Sequence, residues 1–215
     1  MSIQNKKSAE IIKHAQKSFD LWAKNYDQGL TNLFFDFNNK IIINSIPQSN
    51  KCINILDIGC GTGNLLINLY KQNQNINLFG IDISEKMVQI AKLKTKNINN
   101  IHIKNGAAED LPFEKEYFDC VVCSNSLHHH PNIQKSLIEM TRVLKKQGKL
   151  IIVDGYTNGI LRKIIFWFIE KIQNEGVVQR FSKEQMFNLL KKFEYTNIIQ
   201  KDILFMNLMT VGDKD

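Results

Sequence analysis

The chain has no apolar run long enough to cross a bilayer. Its longest apolar patch, Ile160 to Ile169, is broken by Arg162 and Lys163 and falls short of the roughly 20 residues a spanning helix needs. No basic stretch followed by an apolar one opens the sequence, so no secretory signal is expected. Linkers rich in glycine, proline or serine are missing, as are internal repeats, and 215 residues suit a single domain. The four cysteines fit a reducing compartment, which points to the cytoplasm. Cys120 and Cys123 form a C-x-x-C, but along an expected strand residues three apart face opposite ways, so neither a metal site nor a redox pair is expected there. Net charge is +7, yet the lysines are scattered and no basic block interleaves with aromatics. No specific nucleic-acid partner is expected.

What the chain does have is a glycine loop. Ile55-Leu56-Asp57-Ile58-Gly59-Cys60-Gly61-Thr62-Gly63 ends an apolar strand on an acid, and three glycines follow at alternate positions. Glycine permits a sharp strand-to-helix turn and lets a ligand lie against the backbone. The dinucleotide pattern G-x-G-x-x-G differs by one place, because Asn64 stands where its third glycine belongs. Downstream, Ile76-Asn77-Leu78-Phe79-Gly80-Ile81-Asp82-Ile83-Ser84 ends a second apolar run on a carboxylate, with Ser84 as the expected helix N-cap. An acid about 20 residues past the glycines can accept both ribose hydroxyls of a nucleoside. Asp82 is the candidate, with Ile83 beside it.

Further segments follow in order: Gly106-Ala107-Ala108-Glu109-Asp110-Leu111-Pro112-Phe113, then Tyr117-Phe118-Asp119 through Leu127-His128-His129-His130, then Glu139 through Gly148 to Asp154. Upstream lies Phe19-Asp20-Leu21-Trp22-Ala23-Lys24-Asn25-Tyr26-Asp27. With D-x-G-x-G-x-G at Asp57 to Gly63, these segments resemble class I S-adenosylmethionine (SAM) dependent methyltransferases. The likeness is strongest to the branch that holds the ubiquinone and menaquinone methylases, and it spans roughly Ile53 to Asp154. Ala107 departs from the pattern, which usually has Asp there. The signature of nucleobase and glutamine N-methylases, [DNS]-P-P-[YFW], is missing.

The resemblance implies a Rossmann-like, doubly wound α/β fold under an N-terminal helical lid. Its seven-stranded, mostly parallel sheet would have the order 3-2-1-4-5-7-6, with strand 7 antiparallel. One domain would divide into a lid (1–50), a SAM-binding core (51–154), a helical insertion (155–180) and a closing helix with two strands (181–215). Independent of the resemblance, helices are expected near Ser8 to Asn25, Leu30 to Ser45 and Ser182 to Lys192, the last opened by the S-x-x-Q capping box Ser182–Gln185. An apolar helix is expected over Ile160 to Ile169, and strands near Asn197 to Asp202 and Leu204 to Val211. Gly148 reads as a helix C-cap.

For the cofactor the resemblance implies Asp57, Gly59, Cys60, Gly61 and Gly63 at the methionine and ribose, Asp82 and Ile83 at the ribose, and Ala107, Ala108 and Glu109 at the adenine. Asn125 would face the reaction centre and Tyr26 would close over the methionine end. A histidine titrates near neutrality, so His128 or His129 is the candidate base. Trp22, Tyr26, His129 and Trp167 are candidate acceptor contacts. The implied reaction moves a methyl group from SAM to a small molecule, with an apolar, quinone- or lipid-like acceptor left open, and releases S-adenosylhomocysteine. A weak membrane-surface contact and a monomer or homodimer are left open. The alternatives are a dinucleotide-dependent oxidoreductase, a non-catalytic SAM-binding module and an RNA methyltransferase.

Overall fold

A computed structural model describes residues 16–21, 23, 30–47, 49, 51–173, 178–204 and 206–215. Residues 16–21 are helical and are followed by helix α1 (Leu30–Ser45). Then come β1 (Ile53–Ile58), α2 (Asn64–Gln72), β2 (Ile76–Asp82), α3 (Glu85–Thr95), β3 (Ile101–Asn105) and β4 (Phe118–Ser124). A 3-10 turn (Leu127–His129) leads to α4 (Ile133–Val143), β5 (Leu144–Gly155), α5 (Ile160–Gln173), α6 (Lys183–Lys192), β6 (Tyr195–Ile203) and β7 (Asn207–Lys214). The strands form one sheet in the order β3-β2-β1-β4-β5-β7-β6. Strands β1 to β5 pair in parallel, and β7 runs antiparallel to both β5 and β6. This is the expected sheet.

Alternation along the central strands sets the two faces. Ile53 and Ile55 of β1, Cys120 and Val122 of β4, and Ile151 and Val153 of β5 pack on one side with α1, α2 and α3. Leu56 and Ile58, Val121 and Cys123, and Leu150 and Ile152 pack on the other, with α4 and α6. Period-2 geometry therefore sends Cys120 and Cys123 into different clusters, as expected. A strand buried on both faces reads as an unbroken apolar run, which is why β1, β4 and β5 are legible as such. Each fully buried Leu or Ile contributes roughly 1.5–3 kcal/mol.

The caps are local. The Ser84 hydroxyl accepts from the Met87 N–H at the start of α3, and Ser182 and Gln185 form the full capping box of α6. One expectation fails. Helix α4 ends at Val143, five residues before Gly148, because Leu144 already pairs with Phe118 as the first residue of β5. The bulge that follows turns on Gln147 at φ 58. Gly148 is required for space instead: a Cβ there would lie 2.8 Å from Leu144 Cδ1 and from the Lys145 carbonyl. The last two strands also differ at their ends: β6 starts two residues earlier and ends one later than expected, and β7 keeps the expected length but lies three residues further along, pairing with β5 as far as Asp213, whose carboxylate meets Lys149 at 2.6 Å.

Candidate active site

A cavity opens at the carboxyl ends of β1, β2 and β4, where the strand order reverses direction from β1. Such a switch point is where open α/β sheets bind ligands. Its walls include Ile58, Gly59, Gly61, Asp82, Ile83, Met87, Gly106, Ala108 and Glu109 on one side, and Phe19, Asn125, Ser126, His129, His130 and Pro131 on the other. It continues past Gly59 and Gly61 into a recess lined by Asp57, Cys60, Thr62, Asn64, Asn125 and, from α1, Phe35 and Asn39.

The glycine loop is pinned to β2. The N–H groups of Gly59 and Cys60 both donate to the Ile81 carbonyl, at 2.8 and 3.1 Å. Asp82 Oδ2 accepts from the Gly61 N–H and Oδ1 from the Ser84 N–H, each at 2.8 Å. Gly59 sits at φ 73, and a Cβ there would lie 2.1 Å from Ser126 Oγ. Gly63 differs from the other two glycines, because it is not on the cavity wall. It precedes α2 at φ 80 and lets that turn approach α3, where an added Cβ would come 3.3 Å from Ala91 Cβ.

Two buried carboxylates load this side of the site. Burial pushes Asp57 up to about 7, and the nearby Asp82 adds to the shift. Asp82 is also raised by burial, against the pull of the Ser84 and Gly61 N–H groups. The loop after β3 is held by α4: Arg142 donates to the carbonyls of Leu111 and Phe113 and is paired with Glu139, which accepts from the Leu111 N–H. That places Gly106, Ala108 and Glu109 on the wall but leaves Ala107 off it.

Residues 16–21 cross the rim. Gln16 donates to the Ile83 carbonyl at 3.2 Å, Asp20 accepts from the Ser84 hydroxyl at 2.5 Å, and Phe19 meets the His129 ring edge-on with centroids 5.0 Å apart. Trp22 and Tyr26 lie outside the described residues.

The three histidines part ways. His128 is buried off the wall. Its ring Nδ1 pairs with Asp154 Oδ1 at 2.5 Å, and its N–H donates to Asp154 Oδ2 at 3.0 Å. Asp154 also accepts from the Gly155 N–H. Burial pushes the Asp154 carboxyl up, but His128 and Arg180 together hold it below its ordinary value. His129 and His130 do line the cavity, and burial lowers them to about 2 and about 4, with His128 adding to both shifts. Both rings are neutral at physiological pH. Asn125 sits at φ 50, and its side-chain oxygen accepts from Asn207 at the head of β7. Trp167 is on neither wall; it lies exposed on α5. Asp154, Asn39 and Phe19 carry parts of this arrangement that no motif singled out, though Asp154 and Phe19 lie inside quoted segments.

Fold and site together define a nucleoside-binding α/β protein with a charged end and an aromatic end. The comparisons name the kind. A methyltransferase domain family model matches residues 49–203, and the chain belongs to that family. The demethylmenaquinone methyltransferase of Staphylococcus haemolyticus is 40% identical over 100 residues, covering 46% of this chain and 42% of that protein. The ubiquinone/menaquinone biosynthesis C-methyltransferase UbiE of Rickettsia prowazekii is 30% identical over 187 residues, covering 84% and 67%. The chain thus matches less than half the length of some curated relatives. Among solved structures, a chain of the complex between the Haloferax volcanii Trm112 methyltransferase activator and its methyltransferase superposes with a TM-score of 0.79 at 21% identity, covering 91% of this chain and 96% of that one. At that identity the likeness is one of fold. The fold is that of class I SAM-dependent methyltransferases, and the family assignment displaces the dinucleotide-enzyme alternative.

Proposed function

We propose that this chain transfers the methyl group of SAM to a small acceptor with an apolar body. The observation that carries the reading is the meeting, at the carboxyl ends of β1, β2 and β4, of glycine backbone and carboxylates with neutral rings. SAM brings an ammonium, a sulfonium and two ribose hydroxyls. Asp57 faces the recess where the ammonium fits. Each Asp82 oxygen spends one lone pair on a backbone N–H and keeps another for a ribose hydroxyl. Gly106, Ala108 and Glu109 edge the adenine, with Ile83 and Met87 against its faces.

Methyl transfer is an in-line displacement whose leaving group is a neutral thioether, so the protein's main work is positioning. The methyl group would point toward Asn125 and His129. Phe19, His129 and Pro131 present apolar or neutral surface to the acceptor. His129, held neutral down to a pH of about 2, is a weak proton acceptor and a good shape-setting wall. His128 orients that wall through Asp154. The quinone-methylase relatives support a prenylated quinol as the first acceptor class to screen.

The test is calorimetric titration with S-adenosylhomocysteine and, in parallel, NADH, followed by transfer of labelled methyl from SAM to prenylated quinols. Saturable binding of the first ligand alone, weakened about 100-fold or more in Asp82→Ala, is expected; loss of two charge-assisted hydrogen bonds is enough for that. NADH binding of equal strength would sink the reading. Tight S-adenosylhomocysteine binding with no turnover of any acceptor would leave a SAM-binding module.

A further inference from the structure

Helix α5 touches the rest of the protein along only part of its circumference. Phe166 is buried, with the Arg180 guanidinium 4.1 Å above its ring and Gly155 beneath it, where a Cβ would come 2.9 Å from Phe166 Cζ. Arg162 lies 4.1 Å over the Tyr156 ring. These contacts mark the side of α5 that faces inward.

On the other side Ile160, Leu161, Ile164, Trp167 and Phe168 are 80%, 71%, 46%, 54% and 53% exposed. At about 100° per residue the five fall within an arc of about 120°. Other exposed large apolar residues, such as Leu93, Ile138 and Ile199, stand on separate elements. Scattered apolar residues need no account, but a contiguous patch marks a contact surface. Trp167 and Phe168 meet edge-on, with centroids 4.9 Å apart.

The charges around the arc are basic. Lys171 falls inside it at the C-terminal end, its ammonium 4.8 Å from the Trp167 ring, and Lys163 flanks it. The first turn of α5 has no acid, and the helix sequence carries three basic residues against Glu170, which helical spacing places just beyond Lys163 on the same edge of the arc. The chain as a whole is +7. A second copy of the chain would have to bury Lys171 with no acid on the same arc to meet it. A lipid headgroup layer has the complementary sign, lets lysines reach outward from an apolar face, and suits an aromatic pair at its boundary.

We infer that this face of α5 seats in the interface of a bilayer bearing anionic headgroups, with the helix axis in the membrane plane. The docking stands apart from methyl transfer. What it adds, resting there on the function proposed above, is a route for an apolar acceptor. Arg180, whose guanidinium lies over Phe166 of α5, follows Gln179, whose N–H donates to the His128 carbonyl at 3.0 Å, which links the inner side of the helix to the turn that carries His129.

The test uses the full chain with Trp22→Phe, which leaves Trp167 as the one tryptophan of the two. Vesicles of phosphatidylcholine alone, or with a third phosphatidylglycerol, are mixed with this protein, and co-sedimentation and Trp167 emission are read together. Expected are partition onto the anionic vesicles, a blue shift of the emission, and its quenching by brominated acyl chains. The double variant Lys163→Glu with Lys171→Glu should lose at least about tenfold in partition, and Ile164→Ser with Phe168→Ser should lose both partition and blue shift. No sedimentation with anionic vesicles overturns the inference. So does sedimentation with unchanged emission, which would mean that another surface binds, or light scattering that shows a dimer shielding Trp167. S-adenosylhomocysteine titration of the unsubstituted chain, which keeps Trp22, reports on the function separately. Its failure beside intact vesicle binding counts against methyl transfer and for an independent membrane face.

Discussion

The two walls of the cavity are built on opposite electrical terms. The wall built by the glycine loop and β2 holds two buried carboxylates, Asp57 and Asp82, both raised by burial and therefore costly to ionise until a cation arrives. The facing wall holds two imidazoles, His129 and His130, both lowered by burial and therefore neutral. Desolvation acts on both walls and pushes each toward its uncharged form. One wall thus waits for a positive ligand, and the other favours an apolar one. The walls also differ in how they are held. On the first, the glycine loop donates backbone N–H groups to the Ile81 carbonyl and the Asp82 carboxylate of the neighbouring β2, while on the second His128 and Asn125 take side chains from later strands, Asp154 of β5 and Asn207 of β7.

The sharpest way to break the first wall is Gly59→Ala. The position needs φ 73, which costs an L-residue roughly 1–2 kcal/mol, and the new methyl would collide with Ser126 Oγ. S-adenosylhomocysteine affinity should fall by about 100-fold or more, since the loop must shift where the ligand lies against backbone. Adding Ser126→Gly should recover the part due to collision and leave the part due to φ. Calorimetry on the single and double variants separates the two, and a single variant that binds like the parent would remove the backbone-approach argument.

The second wall is tested by Asp154→Asn. Asp154 accepts three hydrogen bonds from His128 and Gly155, and an amide nitrogen in place of one oxygen would face an N–H. The expected loss is about 2–3 kcal/mol in denaturant unfolding at neutral pH. The sign with pH follows from the lowered carboxyl: its stabilisation is present above the unfolded value and is lost as pH falls through the folded one, so parent and variant should converge in acid. S-adenosylhomocysteine affinity should change little while acceptor KM rises. Equal loss of both would mean that the walls are not independent.

The two walls were unequally legible in the sequence for the same reason. Asp57, Gly59, Gly61 and Asp82 belong to segments whose local pattern dictates the turn and the strand end, and Ser84 and Ser182 cap their helices by rules that span four residues. The sheet order followed from resemblance, and the alternation of strands and helices pointed only to a parallel sheet. Asp154 gave no sign, because its partner His128 is remote in sequence and meets it only when β4 and β5 pair. Gly148 was misleading: a glycine after a run of helix formers reads as a cap, but pairing of Leu144 with Phe118 ends the helix first. The suppressed basicity of His129 depends on its burial beside Phe19 and on His128, and no window along the chain contains all three.

The smallest effect expected is also the most specific to the charged wall. Asp57 stands at about 7 without a ligand, a rise of about three units that costs about 4 kcal/mol when the group ionises in the fold. A ligand ammonium beside it favours the ionised form, so binding near neutrality must expel a proton. Affinity for S-adenosylhomocysteine should then rise with pH, by about tenfold between pH 6 and 8, and level off above. Titrations in two buffers of different ionisation enthalpy should differ by the enthalpy of the released proton. Asp57→Asn should bind more weakly at pH 8, with a flat pH profile and no buffer dependence. A flat profile in the parent would show that Asp57 already has a cationic partner or does not meet the ammonium, and the contrast between the walls would then rest on Asp82 alone.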